Sequence, residues 1–131
     1  MTRAAGTFDV KLTPQTTDDK DTTVGRMSID KRFHGDIEGT SKGEMLTGMT
    51  SVKGSAGYVA IEKVSGTVQG KRGTFILQHT ATMNRGAPQL SITVVPDSGT
   101  DELLGLAGTM TIKITDGKHF YEFDHTLAES H

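Results

Sequence analysis

The sequence predicts an all-β protein, an eight-stranded antiparallel closed β-barrel, and three observations carry that expectation. Apolar residues recur with period two, while helical i, i+3, i+4 stripes are hard to find. Thr, Gly and Val dominate, and the 3 prolines (Pro14, Pro88 and Pro96) are peripheral. Glycine-containing turn signals fall between the alternating runs. Strands of this number and length fit an up-and-down barrel, whose closure leaves no exposed edge. A β-sandwich is the competing architecture.

Strand 4–13 opens the chain, with Phe8, Val10 and Leu12 alternating with Thr7, Asp9, Lys11 and Thr13. Such a run reads as half-buried. Segment 14–21 (PQTTDDKD) is a polar loop. Strands 22–34 and 36–50 follow, divided at His34-Gly35-Asp36. Lys53-Gly54-Ser55 precedes strand 56–69, and Gln69-Gly70-Lys71 turns the chain into strand 72–84. Asn84-Arg85-Gly86 leads into strand 87–95, where Leu90, Ile92 and Val94 alternate mostly with polar residues. Segment 96–105 (PDSGTDELLG) is a longer excursion with room for one short helical turn. In strand 106–116, Met110, Ile112 and Ile114 alternate with threonines and Lys113. Asp116-Gly117, the strongest short hairpin signal in the chain, joins it to strand 118–127.

At 131 residues and 14.0 kDa the chain has the size of one domain, 1–131. Net charge is -2 with a pI of about 6.2, and no basic stripe occurs, which argues against a nucleic-acid partner. Apolar stretches run only a few residues, so no membrane span is expected, and no secretory signal opens the sequence. With 0 cysteines, disulfides, thiolate metal sites and cysteine nucleophiles are excluded, and the cytoplasm is the expected location. There is no Trp, which leaves few residues for a base- or sugar-stacking platform.

Candidate functional residues come from the alternation itself. Tyr58, Ala60, Glu62 and Val64 share one strand face; so do Phe75, Leu77, His79, Ala81 and Met83; so do Tyr121, Phe123, His125 and Leu127. Each face is apolar apart from a single ionisable group. If those faces line the interior, Glu62, His79 and His125 project into one lumen, with the hydroxyls of Tyr58 and Tyr121 close by. A carboxyl buried there has a raised pKa and, like a neutral imidazole, suits acid/base chemistry. Glu62 and His79 are the catalytic candidates. Tyr58, Gln78, Tyr121, Phe123, His125, Phe75 and Met45 are the ligand-binding candidates. Gln78 belongs to the opposite face from His79, and it replaces His79 in the lumen if the register is slipped by one. The plainer reading is that Glu62, His79 and His125 are hydrogen-bonded structural residues. Met27, Met45, Met49, Met83 and Met110 sit at inward positions, either as core filler or as an adaptable lining.

The 5 histidines lack the H-x-H or H-E-x-x-H spacing that brings two ligands to one ion, so neither metal nor cofactor is expected. No glycine-rich phosphate cradle and no G-x-S-x-G elbow occurs.

Three stretches carry a family resemblance: Phe33-His-Gly-Asp-Ile-Glu-Gly39, Gly66-Thr-Val-Gln-Gly-Lys-Arg-Gly-Thr-Phe-Ile-Leu-Gln-His79, and Val95-Pro-Asp-Ser-Gly-Thr-Asp-Glu-Leu-Leu-Gly-Leu-Ala-Gly108. In this order they resemble the bacterial DUF3224 family, whose activity is uncharacterised. The resemblance covers nearly the whole chain. It implies a barrel similar to that of allene oxide cyclases, a small apolar ligand in the lumen, and a homo-oligomer. No catalytic residue of allene oxide cyclases is matched position by position, so none is carried over. The expected function is a small-molecule-binding barrel, extending to cofactor-free isomerisation or cyclisation of an apolar metabolite. The alternative is a non-enzymatic ligand-binding or structural oligomeric barrel.

Overall fold

The computed structural model describes residues 2–15 and 23–127. Most of the 14–21 loop and His131 lie outside the described residues. Eight strands follow one another: β1 (Thr2–Pro14), β2 (Val24–Gly35), β3 (Ile37–Met49), β4 (Ala56–Val68), β5 (Lys71–Asn84), β6 (Ala87–Val94), β7 (Ala107–Thr115) and β8 (Lys118–Thr126). Each pairs antiparallel with the next, and β8 returns to β1 to close the barrel. The excursion between β6 and β7 holds one 3-10 turn, Asp101–Leu103. No helix among the described residues is long and apolar enough to cross a membrane.

Three hairpins turn on two residues each: Gln69-Gly70, Arg85-Gly86 and Asp116-Gly117. Both residues of each pair have positive φ (48° and 84°, 49° and 92°, 51° and 78°). That geometry matches the right-handed twist of the strands, and glycine adopts the second position without a Cβ penalty. These turns fix the register of β4–β5, β5–β6 and β7–β8, and the inward face of each strand follows from it.

The barrel has two unlike halves. One end holds the chain termini of the barrel, the β2–β3 and β4–β5 turns and the β6–β7 excursion. There the inward residues are sealed: Ile37, Leu77, Leu103 and Phe123 are all 0% exposed. Phe75 stacks on Phe123 with ring centres 5.8 Å apart, and Phe33 meets Tyr121 edge-on at 5.6 Å. Such pairs stabilise beyond their buried area.

The long excursion makes this end solid. β6 stops at Val94 while β5 continues, and segment 95–102 takes over as the partner of its free edge. The Val95 N–H donates to the Ile76 carbonyl (2.9 Å) and the Thr100 N–H to the Thr74 carbonyl (2.9 Å). Side chains complete the ladder. Ser98 Oγ accepts from the Ile76 N–H (3.0 Å), Thr100 Oγ1 from the Thr74 N–H (3.0 Å), and Glu102 Oε1 from the Arg72 N–H (3.1 Å). Leu103 and Leu106 then drop into the barrel as a plug. Gly73 permits the approach, because a Cβ there would lie 2.1 Å from the Thr100 carbonyl oxygen.

Among the described residues, the opposite end is less closely packed. Leu12, Met49, Met83 and Leu90 continue the inward faces of their strands, yet they are 43%, 55%, 42% and 41% exposed. Inward-facing apolar side chains that remain wet line a mouth. On this side β6 also parts from β7, the two pairing only at Ile92–Met110 and Thr93–Thr109.

Candidate functional site

Midway along the barrel, where the packed half meets the open half, four polar side chains converge. Glu62 is the centre. It sits on β4 between Ala60 and Val64, fully buried. Its cross-strand neighbour on β3 is Gly43, where a Cβ would come within 2.6 Å of the Glu62 Cα. With no side chain there, Glu62 reaches across β3 to Ser41 and to Lys31 on β2. Oε1 accepts from Ser41 Oγ at 3.0 Å, and Oε2 accepts from Lys31 Nζ at 2.8 Å. From β5, His79 brings Nε2 to 2.7 Å from the same Oε2. Close as it is, that contact leaves Nε2 without a well-directed hydrogen bond.

Lys31 and Ser41 were not legible as site residues, although one signal existed. On β2 the inward residues read Met27, Ile29, Lys31 and Phe33, a lone ionisable group on an apolar face, which is the pattern that singled out Glu62 and His79. Lys31 is buried, and its ammonium lies 4.9 Å from the centre of the Phe8 ring and 5.9 Å from that of Phe33. The ring faces supply a cation–π contact that complements the ion pair.

The electrostatics differ from the expectation of a raised Glu62. Burial does push the carboxyl upward, but the His79 contact and the Lys31 charge outweigh it, and the pKa is lowered. Glu62 is therefore a carboxylate at neutral pH, with both oxygens engaged. Tyr58 moves the other way. Burial, and then the Glu62 charge, raise its pKa, so the phenol stays neutral.

The remaining candidates divide between the two halves. Tyr58 and Met45 are half-buried on the open side, the Tyr58 ring centre 6.4 Å from that of His79. Phe75, Tyr121, Phe123 and His125 are in the plugged half. Tyr121 is committed there: its hydroxyl accepts from the Ile37 N–H (2.8 Å) and donates to the His34 carbonyl (3.0 Å), with the Ile37 carbonyl at 3.3 Å. Burial raises its pKa to about 12. His125 stacks on Phe123 at 5.0 Å, its Nδ1 3.3 Å from the Phe123 carbonyl. Gln78 is exposed on the outer face. The structure thus brings together Glu62, His79, Tyr58 and Met45, and separates them from the rest. Among the described residues, no group of three or more His, Asp and Glu is arranged to hold a metal ion.

Between the cluster and the mouth the inward positions are small or flexible. Ala60 pairs with His79 and Met45, Ala81 with Tyr58, and Met27 with Met45. These inward positions lie between the buried cluster and the partly exposed Leu12, Met49, Met83 and Leu90.

A family model described as a protein of unknown function, DUF3224, matches residues 4–125. The crystal structure of a DUF3224-family protein of unknown function from Shewanella oneidensis MR-1 is similar at 50% identity and a TM-score of 0.93, with 99% of each chain covered. No curated protein matches the chain. The family model runs from the first strand to the last, and a half-identical relative matches from end to end: the chain belongs to the DUF3224 family.

Proposed function

We propose that the open half of the barrel binds a small, mainly apolar molecule, seated on the floor formed by His79, Tyr58 and Ala60. The observation that carries this is the buried Lys31–Glu62–His79 cluster beneath inward-facing apolar residues, Met49 and Met83 among them, that stay partly exposed. A barrel built only for stability gains nothing from charges at its centre, since a well-packed apolar core of the same volume is commonly as stable or more so. Concave, largely apolar sites with a few convergent polar groups are the usual form of a ligand site. The reading rests on these residues and not on the wider resemblance to allene oxide cyclases.

Native mass spectrometry of gently purified protein, followed by the same sample denatured, tests it. The expected result is extra native mass released as a small molecule, and its loss in Met45→Trp, which sets an indole beside Ala60. Bare-chain mass, together with a compound library that leaves Tm unmoved, would sink the proposal.

Catalysis is the finer form of this reading. His79 would exchange the proton in a cofactor-free isomerisation or cyclisation, and Glu62, with both oxygens engaged, would be its positioning residue. A sigmoid or bell-shaped pH–rate profile would mark such turnover, whereas simple apolar binding gives a nearly flat one. The homo-oligomer also belongs to this proposal. Its support is an outer stripe in which Leu46 and Val59 are cross-strand neighbours and Ile61 follows, about half exposed each. The cytoplasmic location rests on the absence of cysteine alone.

A further inference from the structure

The chain has 0 cysteines and 6 methionines, so thioethers are its only sulfur chemistry. Met1 lies outside the described residues, and the other five methionines are graded along the inward strand positions. Met49 and Met83 are 55% and 42% exposed, Met27 and Met45 are half-buried, and Met110 is 3% exposed. The register sets Met49 opposite Ala56, and Ala56 opposite Met83, so the two wet thioethers share one row across β3, β4 and β5. The short methyl of Ala56 between them covers neither. Met27 and Met45 are cross-strand neighbours deeper in the same half.

We infer that Met49 and Met83 form a reversible oxidation site for peroxide, and that their sulfoxides shut the mouth to apolar guests. The second part rests on the ligand-binding reading above. In the oxidation the thioether sulfur attacks one oxygen of hydrogen peroxide through its lone pair. The S–O bond forms as the O–O bond breaks, and the departing hydroxide takes the proton of the transferred oxygen and leaves as water. Each methionine loses two electrons, and the peroxide gains them. A dithiol-dependent sulfoxide reductase reverses the step, giving the thioether, a disulfide and water.

Burial decides both where this happens and what it does. Met49 and Met83 are wet already, so no packing is undone when they are oxidised. Met110 is closed off by the core, where a sulfoxide dipole would be costly to bury. A thioether is flexible and apolar, whereas its sulfoxide is polar and holds water. With one sulfoxide on either side of Ala56, the row that an entering apolar molecule would cross becomes hydrated.

Hydrogen peroxide treatment of the intact protein, followed by peptide mass mapping, tests the site. Met49 and Met83 should be oxidised first and Met27 and Met45 later, with Met110 still reduced and Tm unchanged. Methionine sulfoxide reductases, one for each epimer, should return both residues to thioethers. On the same samples the mouth is probed with N-phenyl-1-naphthylamine, a neutral apolar dye, and by the native mass of any copurified molecule. Dye affinity should fall severalfold on oxidation and recover on reduction. In Met49→Leu/Met83→Leu, peroxide should leave the affinity where it started, which assigns the loss to these two sulfurs. Oxidation without this order, or dye affinity unmoved by sulfoxides mapped to Met49 and Met83, overturns the inference and leaves the ligand site standing. If the untreated protein binds no dye and releases no mass on denaturation, the ligand site falls and the shutting of the mouth falls with it.

Discussion

The plugged and open halves are built from the same strands, yet they solve opposite problems. In the plugged half every inward side chain has neighbours on all sides, and hydroxyl groups from the 95–102 segment replace the strand that β5 lacks. In the open half Met49 and Met83 face inward and remain wet. Most of the buried apolar core lies in the plugged half, and inward residues of the other half remain partly exposed. Residues at functional sites are expected to break local rules in this way.

The sharpest test of this division pairs two truncations. Phe75→Ala in the plugged half should cost about 3–5 kcal/mol, whereas Leu90→Ala at the mouth should cost below about 1 kcal/mol. Urea unfolding reads both values. Similar costs would erase the distinction.

Glu62→Gln probes the boundary between the halves. Leaving Lys31 buried without its carboxylate should cost about 3 kcal/mol. The pH dependence carries the sign. Because the folded pKa of Glu62 is lowered, its contribution is present above its ordinary range, about 4, and is lost as pH falls through the folded value. Stability of the parent protein should therefore drop on acidification more steeply than that of the variant, and parallel curves would show that the ion pair contributes nothing.

A smaller effect than either Phe75→Ala or Glu62→Gln concerns the plug. Ser98→Ala leaves the Ile76 N–H without its acceptor and should cost about 1–2 kcal/mol, with ligand binding at the mouth unchanged. A change in binding would mean that the halves are coupled.

The fold was largely legible. Strands 56–69, 72–84 and 118–127 were expected within a residue or two of their observed ends, because alternation and the Asp116-Gly117 type of turn are local signals. So was the short turn now seen at Asp101–Leu103. The site was legible only in outline. Glu62 and His79 announced themselves as lone ionisable groups on apolar faces, but their partners lie on strands far away in the chain. The direction of the Glu62 shift depended on His79 and on Lys31, which sits 31 positions earlier. For the same reason the Ser98–Gly108 motif could be recognised without its role. Nothing local says that its hydroxyls bond to β5 or that Leu103 and Leu106 become a plug.

The short junction between β6 and β7 has a mechanical consequence. A cylinder whose other seams are long ladders, but which is joined here at Ile92–Met110 and Thr93–Thr109 alone, is a split ring. Its circumference on the open side is adjustable, since opening the slit sacrifices few interstrand bonds. The elastic compliance of the molecule is thereby placed beside the mouth and away from the plug, so a guest of the proposed kind would widen the mouth without loosening the rest of the wall.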